Sequence, residues 1–451
     1  MILVKRIKTR ALSVLLLAAV AVIGLSLYVA RFAVNGDRWA SSFVNQSVYH
    51  RGSLSVGTLV DRNGVILYGA TDGHRTFAED AATRRATLHV VGDANGFIGT
   101  GALTMLAPQL IGYNAITGTY SRTGEGSTVA LTIDSRLNVE AHRALDGRRG
   151  AVMVMNYQTG EILCMVSGPT FDANNPPGDI EDDPKFEGVY INRAISAVYP
   201  PGSTFKLITA AAAIESIHDI SDRTFHCDGS MWTGDGAVNC PSSHGTMSFK
   251  DALAESCNGV FAELSLELGS DTLARYAKKY GLSERTTVGR VRTAEGNFGR
   301  ADPDTTALAW SGIGQHTNTV CPAAMLRFVG AIANDGITMP MRLTQRTGFS
   351  LFAQGSRIMK RETAERLGEM MNYNARNSSF PGLTMHAKSG TAQVGGDAKP
   401  HAWFAGYISN EGCPLAFVVV VENGGGGAAV AGAVASRVLQ AAKTLIEPME
   451  S

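Results

Sequence analysis

The chain has 451 residues, of which 45% are hydrophobic and 18% are charged. This composition is typical of a globular protein and excludes a disordered chain or a collagen-like repeat. Forty Lys and Arg residues balance 40 Asp and Glu residues, and because phosphate binding favours a basic surplus, no nucleic-acid partner is expected. The 6 cysteines are too few for a disulfide-stabilised scaffold.

The first predicted element is a membrane-spanning helix. Residues 11–30 contain no charged side chain, and roughly 20 helical residues cross a bilayer core of about 30 Å. A cleaved signal peptide is the alternative, but its apolar region usually runs for only about 7–15 residues. Basic residues lie mainly before the stretch: Lys5, Arg6, Lys8 and Arg10 precede it, and Arg31 and Arg38 follow. This asymmetry predicts a cytoplasmic tail at 1–10, a single anchor at 11–32 and an extracytoplasmic body in the bacterial cell membrane.

Residues 33–130 are predicted to form a small, mostly β, pedestal-like juxtamembrane module. Residues 57–68 alternate around Asn63-Gly64, a pair that suits a type I′ turn, so this segment is predicted to be a hairpin. The rest of the module is rich in Gly and Thr and has weak periodicity.

Residues 131–451 are predicted to form one α+β domain. Asp134 is a candidate cap for a helix that ends near Leu145, and residues 150–166 form two apolar runs about a turn at 158–160. A mainly helical section follows at 204–333, and residues 402–408 and 415–421 are predicted strands before an Ala-rich helix at 430–445. Strands at both ends with helices between them imply a sheet that combines distant segments.

The first candidate catalytic motif is Ser203-x-x-Lys206, at the start of an Ala-rich helix after Pro200, Pro201 and Gly202. A serine hydroxyl becomes a good nucleophile when a neighbouring base takes its proton. A buried lysine near the positive end of a helix dipole has a lowered proton affinity, which suits it to that task. Taken alone, the motif is also explained by helix capping.

The second motif is Ser256-Cys257-Asn258, a polar triplet between apolar helical segments. Its hydroxyl could relay a proton, and its amide could bind a peptide carbonyl. Taken alone, the triplet is equally a helix cap or a turn.

The third motif, Lys388-Ser389-Gly390-Thr391, precedes the last strands and is predicted to lie on an edge strand that faces a cleft. Lys388 would supply positive charge, Ser389 and Thr391 would bind a carboxylate, and Gly390 would let a substrate backbone approach closely. An ordinary bent strand is the alternative for this motif alone.

In this order, the three motifs resemble those of penicillin-binding proteins and serine β-lactamases. Further segments are similar to class B penicillin-binding proteins: 57–67, 131–137, 150–166, 199–206, 312–315, 331–336 and 388–406. The resemblance implies a transpeptidase domain in which an antiparallel sheet has helices on both sides. Ser389 replaces the commoner Thr of this motif but keeps the hydroxyl.

The resemblance implies a peptidoglycan D,D-transpeptidase that is also the target of β-lactam antibiotics. Ser203 would attack the carbonyl between the two terminal D-alanines of a stem peptide and form an acyl-enzyme, with Lys206 as its base. Ser256 would pass the proton to the leaving amine, and Asn258 would bind the donor peptide. Lys388 would complete the electrostatics of the site, and the N–H groups of Ser203 and Thr391 would form the oxyanion hole.

No cofactor and no metal ion are expected. The roughly 120 residues between the anchor and Ala151 are too few for a glycosyltransferase domain. A polytopic glycosyltransferase of the cell-wall machinery is therefore an expected partner at the membrane. Two other functions stay open: a β-lactamase or D,D-carboxypeptidase with the same serine chemistry, and a non-catalytic scaffold that activates a glycosyltransferase.

For Cys227 and Cys240 the sequence leaves three possibilities: a disulfide, two free thiols, or a metal site with His226 or His244 nearby. The remaining cysteines have apolar neighbours and are predicted to be small core residues: Cys164, Cys257, Cys321 and Cys413.

Overall fold

The computed structural model describes residues 2–40, 57–71, 74–111, 127–345, 355–375 and 380–446. The strands are β1 (Thr58–Val60), β2 (Ile66–Thr71), β3 (His74–Phe77), β4 (Thr128–Ala130), β5 (Gly150–Asn156), β6 (Ile162–Gly168), β7 (Thr224–Cys227), β8 (Ser230–Thr233), β9 (Gly236–Asn239), β10 (Gly245–Ser248), β11 (Thr287–Val288), β12 (Val291–Arg292), β13 (Ile337–Thr338), β14 (Ser356–Arg357), β15 (Met385–Ala392), β16 (His401–Ile408) and β17 (Leu415–Val421).

The α-helices are α1 (Ile2–Ala40), α2 (Ala81–Val91), α3 (Ala102–Met105), α4 (Ala107–Ile111), α5 (Ser135–Leu145), α6 (Arg193–Ser196), α7 (Lys206–Ser216), α8 (Phe249–Ala254), α9 (Asn258–Leu268), α10 (Ser270–Lys279), α11 (Thr306–Gly312), α12 (Pro322–Ala333), α13 (Arg361–Ala375) and α14 (Gly432–Ile446). Short 3-10 turns lie at Pro184–Phe186 and Gly202–Phe205, and a π turn at Gly427–Ala431 precedes α14.

A five-stranded antiparallel sheet organises the C-terminal part of the chain, in the order β15-β16-β17-β5-β6. All residues of β17 are buried, because alternate side chains enter two separate cores. Val418 and Val420 pack into the core that contains α12, whereas Phe417 and Val419 pack into the core that contains α5 and α14. The predicted α+β domain, with its sheet covered by helices on both sides, is confirmed.

The predicted hairpin near the start of the body is also confirmed, although its turn differs from the prediction. Strands β1 and β2 pair antiparallel, and Gly64 has a φ of +83° while Asn63 does not have a positive φ. A type I′ turn requires positive φ at both positions. Here the Asp61 carboxylate instead accepts the N–H groups of Asn63 and Val65, at 2.8 and 2.9 Å, and fixes a longer turn.

The N-terminal sheet has the order β3-β2-β1-β4, in which β1 and β4 are parallel. The described part of residues 33–130 also contains α2, α3 and α4, so this stretch is mixed α and β rather than mostly β. Asp80 accepts the Thr83 N–H and caps the N-terminus of α2. This capping residue could have predicted the helix, but the weak hydrophobic periodicity of the segment gave no support for it. Residues 41–56 and 112–126 lie outside the described residues, and the domain boundary at 130/131 stays a prediction.

Helix α1 contains the predicted membrane segment. Within Arg10–Val34, an 18-residue window has a mean hydropathy of 2.6 and contains no buried residue, which fits a single membrane-spanning helix. A second apolar stretch, Gly427–Ile446, is 39% buried, and its Val434, Val438 and Leu439 pack in the core beneath the sheet. This second stretch is therefore a core element of the domain.

Candidate active site

The predicted nucleophile lies where the sequence placed it, at the start of a buried helix. Ser203 is half-buried in the 3-10 turn that runs directly into α7. Gly202 has a φ of +52°, and its N–H donates to the Gly314 carbonyl at 2.9 Å. A Cβ on Gly314 would overlap with the Gly202 carbonyl oxygen, so the backbone that presents Ser203 is held by a close contact between two glycines.

Lys206 is completely buried in the first turn of α7. Its Nζ lies 2.5 Å from the Ser256 carbonyl oxygen, 2.8 Å from Asn258 Oδ1 and 3.2 Å from Ser256 Oγ. Burial, with a further contribution from the charge of Lys388, lowers the pKa of Lys206 well below its usual value. A neutral amine has two N–H donors and one lone pair. Since the carbonyl and the amide take both donors, the lone pair is left for a hydroxyl.

Ser256 occupies the corner between α8 and α9 in a left-handed conformation, with a φ of +55°. Such a conformation is costly for a residue with a side chain and is commonly retained at functional sites. The Ser256 and Cys257 N–H groups donate back to Leu253 and Ala252 at 3.2 and 2.9 Å, which closes the corner. The predicted tight corner is confirmed.

Lys388 lies on β15, the edge strand of the central sheet, as predicted. Its Nζ donates to Ser256 Oγ at 3.0 Å and to the Ser389 carbonyl at 3.0 Å. Burial lowers the pKa of Lys388 to about 7. The three predicted motifs therefore meet at the hydroxyl of Ser256, which contacts the amines of Lys206 and Lys388.

The amide of Asn258 is engaged at both ends. Its Oδ1 accepts from Lys206, and its Nδ2 donates to the Asn239 carbonyl at 2.9 Å. Asn258 thus orients the Lys206 amine in this structure, a contact that the sequence analysis did not predict. Its predicted contact with a donor peptide stays a prediction.

The end of β15 packs against the 3-10 turn Gly202–Phe205, which carries Ser203 and is called the nucleophile turn below. A Cβ on Gly390 would lie 2.8 Å from the Pro201 carbonyl oxygen. In this structure, the segment that closely approaches the Gly390 backbone is therefore the protein's own residue Pro201. Ser389 is half-buried, and Thr391 is exposed and accepts the Gly427 N–H on Oγ1 at 3.1 Å. The roles of Ser389, Gly390 and Thr391 toward a substrate stay predictions.

A buried polar network behind the nucleophile turn was missed by sequence reasoning. Glu422 Oε1 accepts from Arg193 Nε and from the Tyr199 hydroxyl, both at 2.7 Å. The Tyr199 ring packs edge-on against Trp403, whose Nε1 donates to the Pro200 carbonyl at 2.9 Å. Burial opposes ionisation of Glu422, but the Tyr199 hydroxyl and the Arg193 charge outweigh it and lower the pKa of Glu422. The available signal was the position of Tyr199, directly before the first motif.

A second cluster lies beside the Ser256 corner. The ligand atoms of Cys227, Cys240, His244 and Cys257 all lie within 4.8 Å of one another. Cys227 and Cys240 both carry free thiols, so the disulfide between them is not present here. Cys257, predicted to be a core residue, is buried but also contacts Cys240, with the sulfurs 3.7 Å apart. The Cys257 thiol and N–H groups of α9 lower the pKa of Cys240 to about 5, and the same contact raises the pKa of Cys257.

Comparison with known proteins gives a consistent family assignment. Residues 150–440 match the penicillin binding protein transpeptidase domain. The chain is 31% identical over 339 residues to the peptidoglycan D,D-transpeptidase PbpA of Mycobacterium tuberculosis H37Rv, covering 67% of this chain and 68% of that protein. It is 32% identical, over the same shares, to the PbpA of Mycolicibacterium smegmatis.

The fold agrees with this assignment. The penicillin G acyl-enzyme complex of M. tuberculosis penicillin-binding protein A superposes with a TM-score of 0.75 at 27% identity, covering 86% of this chain and 100% of that structure. Together with the serine and lysine constellation, these matches define a penicillin-binding transpeptidase, and the chain belongs to that family. Within the family it is a class B penicillin-binding protein, as the resemblance predicted.

Proposed function

We propose that this chain is a serine-type peptidoglycan D,D-transpeptidase that cross-links stem peptides with release of D-alanine. The observation that carries the proposal is the convergence of Lys206 and Lys388 on Ser256 Oγ, at 3.2 and 3.0 Å, next to the turn that presents Ser203. The relatives named PbpA are described as peptidoglycan D,D-transpeptidases, and their chemistry fits this arrangement.

In the acylation step, Ser203 Oγ attacks the carbonyl of the penultimate D-alanine while its proton passes to the lone pair of Lys206. The negative charge that develops on the carbonyl oxygen would be stabilised by the N–H groups of Ser203 and Thr391, an effect worth about 3–4 kcal/mol per donor in other enzymes. Lys388 adds positive charge on the same side, and the hydroxyls of Ser389 and Thr391 bind the terminal carboxylate.

Breakdown of the tetrahedral intermediate requires a proton on the leaving amine. Ser256 Oγ is suited to deliver it, since it contacts both Lys206 and Lys388. D-alanine then leaves, and an ester remains on Ser203. An amine of a second stem peptide attacks this ester, and the same groups return the proton to Ser203, which closes the cross-link.

The same ester forms with β-lactam antibiotics, and its lifetime separates this function from a β-lactamase or carboxypeptidase. A hydrolase needs a base that activates water. Within the described part of the chain, the hydrogen bonds of Lys206, Ser256 and Lys388 reach carbonyl, amide and hydroxyl oxygens and no carboxylate. This arrangement favours transfer to an amine over hydrolysis.

We place the chain in the bacterial cell membrane through α1, with a cytoplasmic N-terminus and an extracytoplasmic catalytic domain. The basic residues that precede the apolar segment support this orientation. A polytopic glycosyltransferase is the partner that would supply glycan strands to a transpeptidase of this kind, with α1 and the juxtamembrane module as its contact region.

The test is intact-mass analysis of the full-length chain in detergent after incubation with penicillin G. We expect the wild type to carry one penicilloyl group that persists for hours, and Ser203→Ala to carry none. Rapid loss of the adduct with drug turnover would identify a β-lactamase, and absence of any adduct in the wild type would favour the scaffold.

Two lysine variants identify the base. Lys206→Met should slow acylation by about 10²–10⁴-fold because it removes the proton acceptor. Lys360→Met is the matched control, since Lys360 is exposed at the start of α13. Equal acylation rates in the two variants would exclude Lys206 as the base.

A further inference from the structure

The cysteine and histidine cluster beside the Ser256 corner joins three separate parts of the chain. Cys227 ends β7, Cys240 and His244 lie in the connection between β9 and β10, and Cys257 caps the N-terminus of α9. The four side chains are buried or half-buried. Three thiols and an imidazole from distant elements therefore share one small volume.

Two distances within the cluster match the edges of a tetrahedral metal site, and all four ligand atoms lie within 4.8 Å of one another. Zinc–sulfur bonds of about 2.3 Å place two thiolates about 3.8 Å apart, and a thiolate and an imidazole nitrogen about 3.6 Å apart. The Cys240 and Cys257 sulfurs lie 3.7 Å apart, and Cys227 Sγ lies 3.5 Å from His244 Nδ1. A disulfide would require the two sulfurs to approach to about 2.05 Å.

The backbone around the cluster is arranged as it is around metal-bound thiolates. Cys240 Sγ accepts the N–H groups of Asn258 and Gly259 at 3.0 and 3.1 Å, and Cys257 Sγ accepts the Val260 N–H at 3.5 Å. These donors belong to the first turn of α9, where unpaired N–H groups favour negative charge. Outer hydrogen bonds of this kind orient the ligands of a metal and stabilise their ionised form.

We propose that Cys227, Cys240, His244 and Cys257 bind a structural Zn²⁺ ion that holds the Ser256 corner in place. Three thiolates and one imidazole in a closed, four-ligand arrangement are the donor set and number of a structural zinc site. His226, which is adjacent to Cys227, is excluded because its ring faces Thr246 and Asp228, at 3.1 and 2.7 Å.

The proposed zinc site is connected to the catalytic residues through the chain and through hydrogen bonds. Cys257 lies between Ser256 and Asn258 in the second motif. The Asn258 N–H contacts Cys240 Sγ while its side chain contacts Lys206. The metal thus acts as a positioning element for Lys206 and Ser256, and this consequence rests on the proposed function. Zinc binding itself does not.

The first test is metal analysis of the full-length chain purified in detergent and a thiol-free reductant. We expect about one zinc per chain, and replacement by Co²⁺ should give the absorption of tetrahedral cobalt with charge-transfer bands of several thiolates. Cys240→Ser and His244→Ala should lose most of the metal. His226→Ala, the matched control, should retain it.

The cobalt spectrum is measured on the wild type and therefore does not depend on whether a variant folds. A wild type that binds neither zinc nor cobalt under these conditions would overturn the proposal. So would a non-reduced peptide map in which Cys240 and Cys257 are quantitatively disulfide-bonded, or full metal retention in both Cys240→Ser and His244→Ala.

The second test separates metal binding from transpeptidase function. Removal of zinc by a chelator should slow penicillin acylation by at least tenfold and shift its pH profile, and added Zn²⁺ should restore both. Ser203→Ala should hold zinc as the wild type does while forming no adduct. Failure of acylation with normal zinc content would contradict the proposed function alone, whereas unchanged acylation after zinc loss would contradict the positioning role alone.

Discussion

Lys206 and Lys388 place their amines on the same hydroxyl, 3.2 and 3.0 Å from Ser256 Oγ, and both side chains are buried. A state in which both amines are charged is energetically unfavourable, because burial and mutual repulsion both favour loss of a proton. Burial lowers the pKa of Lys388 to about 7, and burial together with the charge of Lys388 lowers the pKa of Lys206 well below its usual value. When the pair holds a single charge, one amine is a base and the other an adjacent cation.

This pairing predicts a bell-shaped pH profile for acylation by penicillin G. The rate should rise with pH as Lys206 loses its proton, and fall above about pH 7 as Lys388 loses its charge, since its pKa is about 7. Stopped-flow measurement of the acylation rate constant across this range would check it. A rate that climbs steadily to about pH 10 would show that Lys206 titrates like an ordinary lysine.

Asn258→Asp should move the acidic limb of that profile to higher pH. Asn258 Oδ1 lies 2.8 Å from Lys206 Nζ, and a carboxylate at this position would stabilise the charged amine and raise the pKa of Lys206. Acylation near neutral pH should fall by at least tenfold and recover as the pH rises. Asn258→Ala, which removes the contacts of the amide with Lys206 and with the Asn239 carbonyl and adds no charge, is the control and should lower the rate without shifting the limb upward. Identical profiles for the two variants would contradict the electrostatic explanation.

Gly314→Ala should disturb the nucleophile turn far more than a comparable change elsewhere. Gly314 and Gly64 both have a φ of +83°, but a Cβ on Gly314 would overlap with the Gly202 carbonyl whereas Gly64 has open space. The left-handed conformation should cost either variant about 1–2 kcal/mol. Gly314→Ala should lose about 1–3 kcal/mol more through overpacking, as measured by chemical denaturation, and should acylate more slowly. Equal losses in the two variants would mean that the close glycine contact is dispensable.

Glu422→Gln should destabilise the domain by about 3–5 kcal/mol, because it leaves the buried Arg193 guanidinium without its counter-ion. The side chains of Arg193 and Glu422 are 6% and 18% exposed. Glu362→Gln is the control: it breaks the Arg366–Glu362 pair, whose side chains are 44% and 70% exposed, and should change the free energy of unfolding by about 0.3–0.5 kcal/mol. A Glu422→Gln protein as stable as this control would show that the backbone carbonyls of Gly188 and Glu187 are sufficient partners for Arg193.

Much of the site was predictable because its chemistry is carried by short local patterns. Ser203 and Lys206 are three residues apart at a helix start, so one turn fixes their relation. The edge strand that carries Lys388 was predicted from its position directly before the last strands, and the helix cap at Asp134 followed from its side chain. The prediction of a type I′ turn was wrong because the Asp61 carboxylate accepts the N–H groups of Asn63 and Val65 and stabilises a different, longer turn.

The sequence by itself determined the family, the α+β class, the strands at both ends of the domain and the residues with catalytic potential, but it missed the six short strands within the section 204–333 that was predicted to be mainly helical. Only the tertiary structure decided which of these residues meet. The convergence of Lys206, Ser256 and Lys388 and the ion pair of Arg193 with Glu422 join segments far apart in the chain. The cluster around Cys240 joins three elements within residues 227–257. Local propensity and periodicity describe residues that are close in the sequence. The burial of a side chain, its pKa and the arrangement of candidate metal ligands depend instead on which elements pack together in the folded chain.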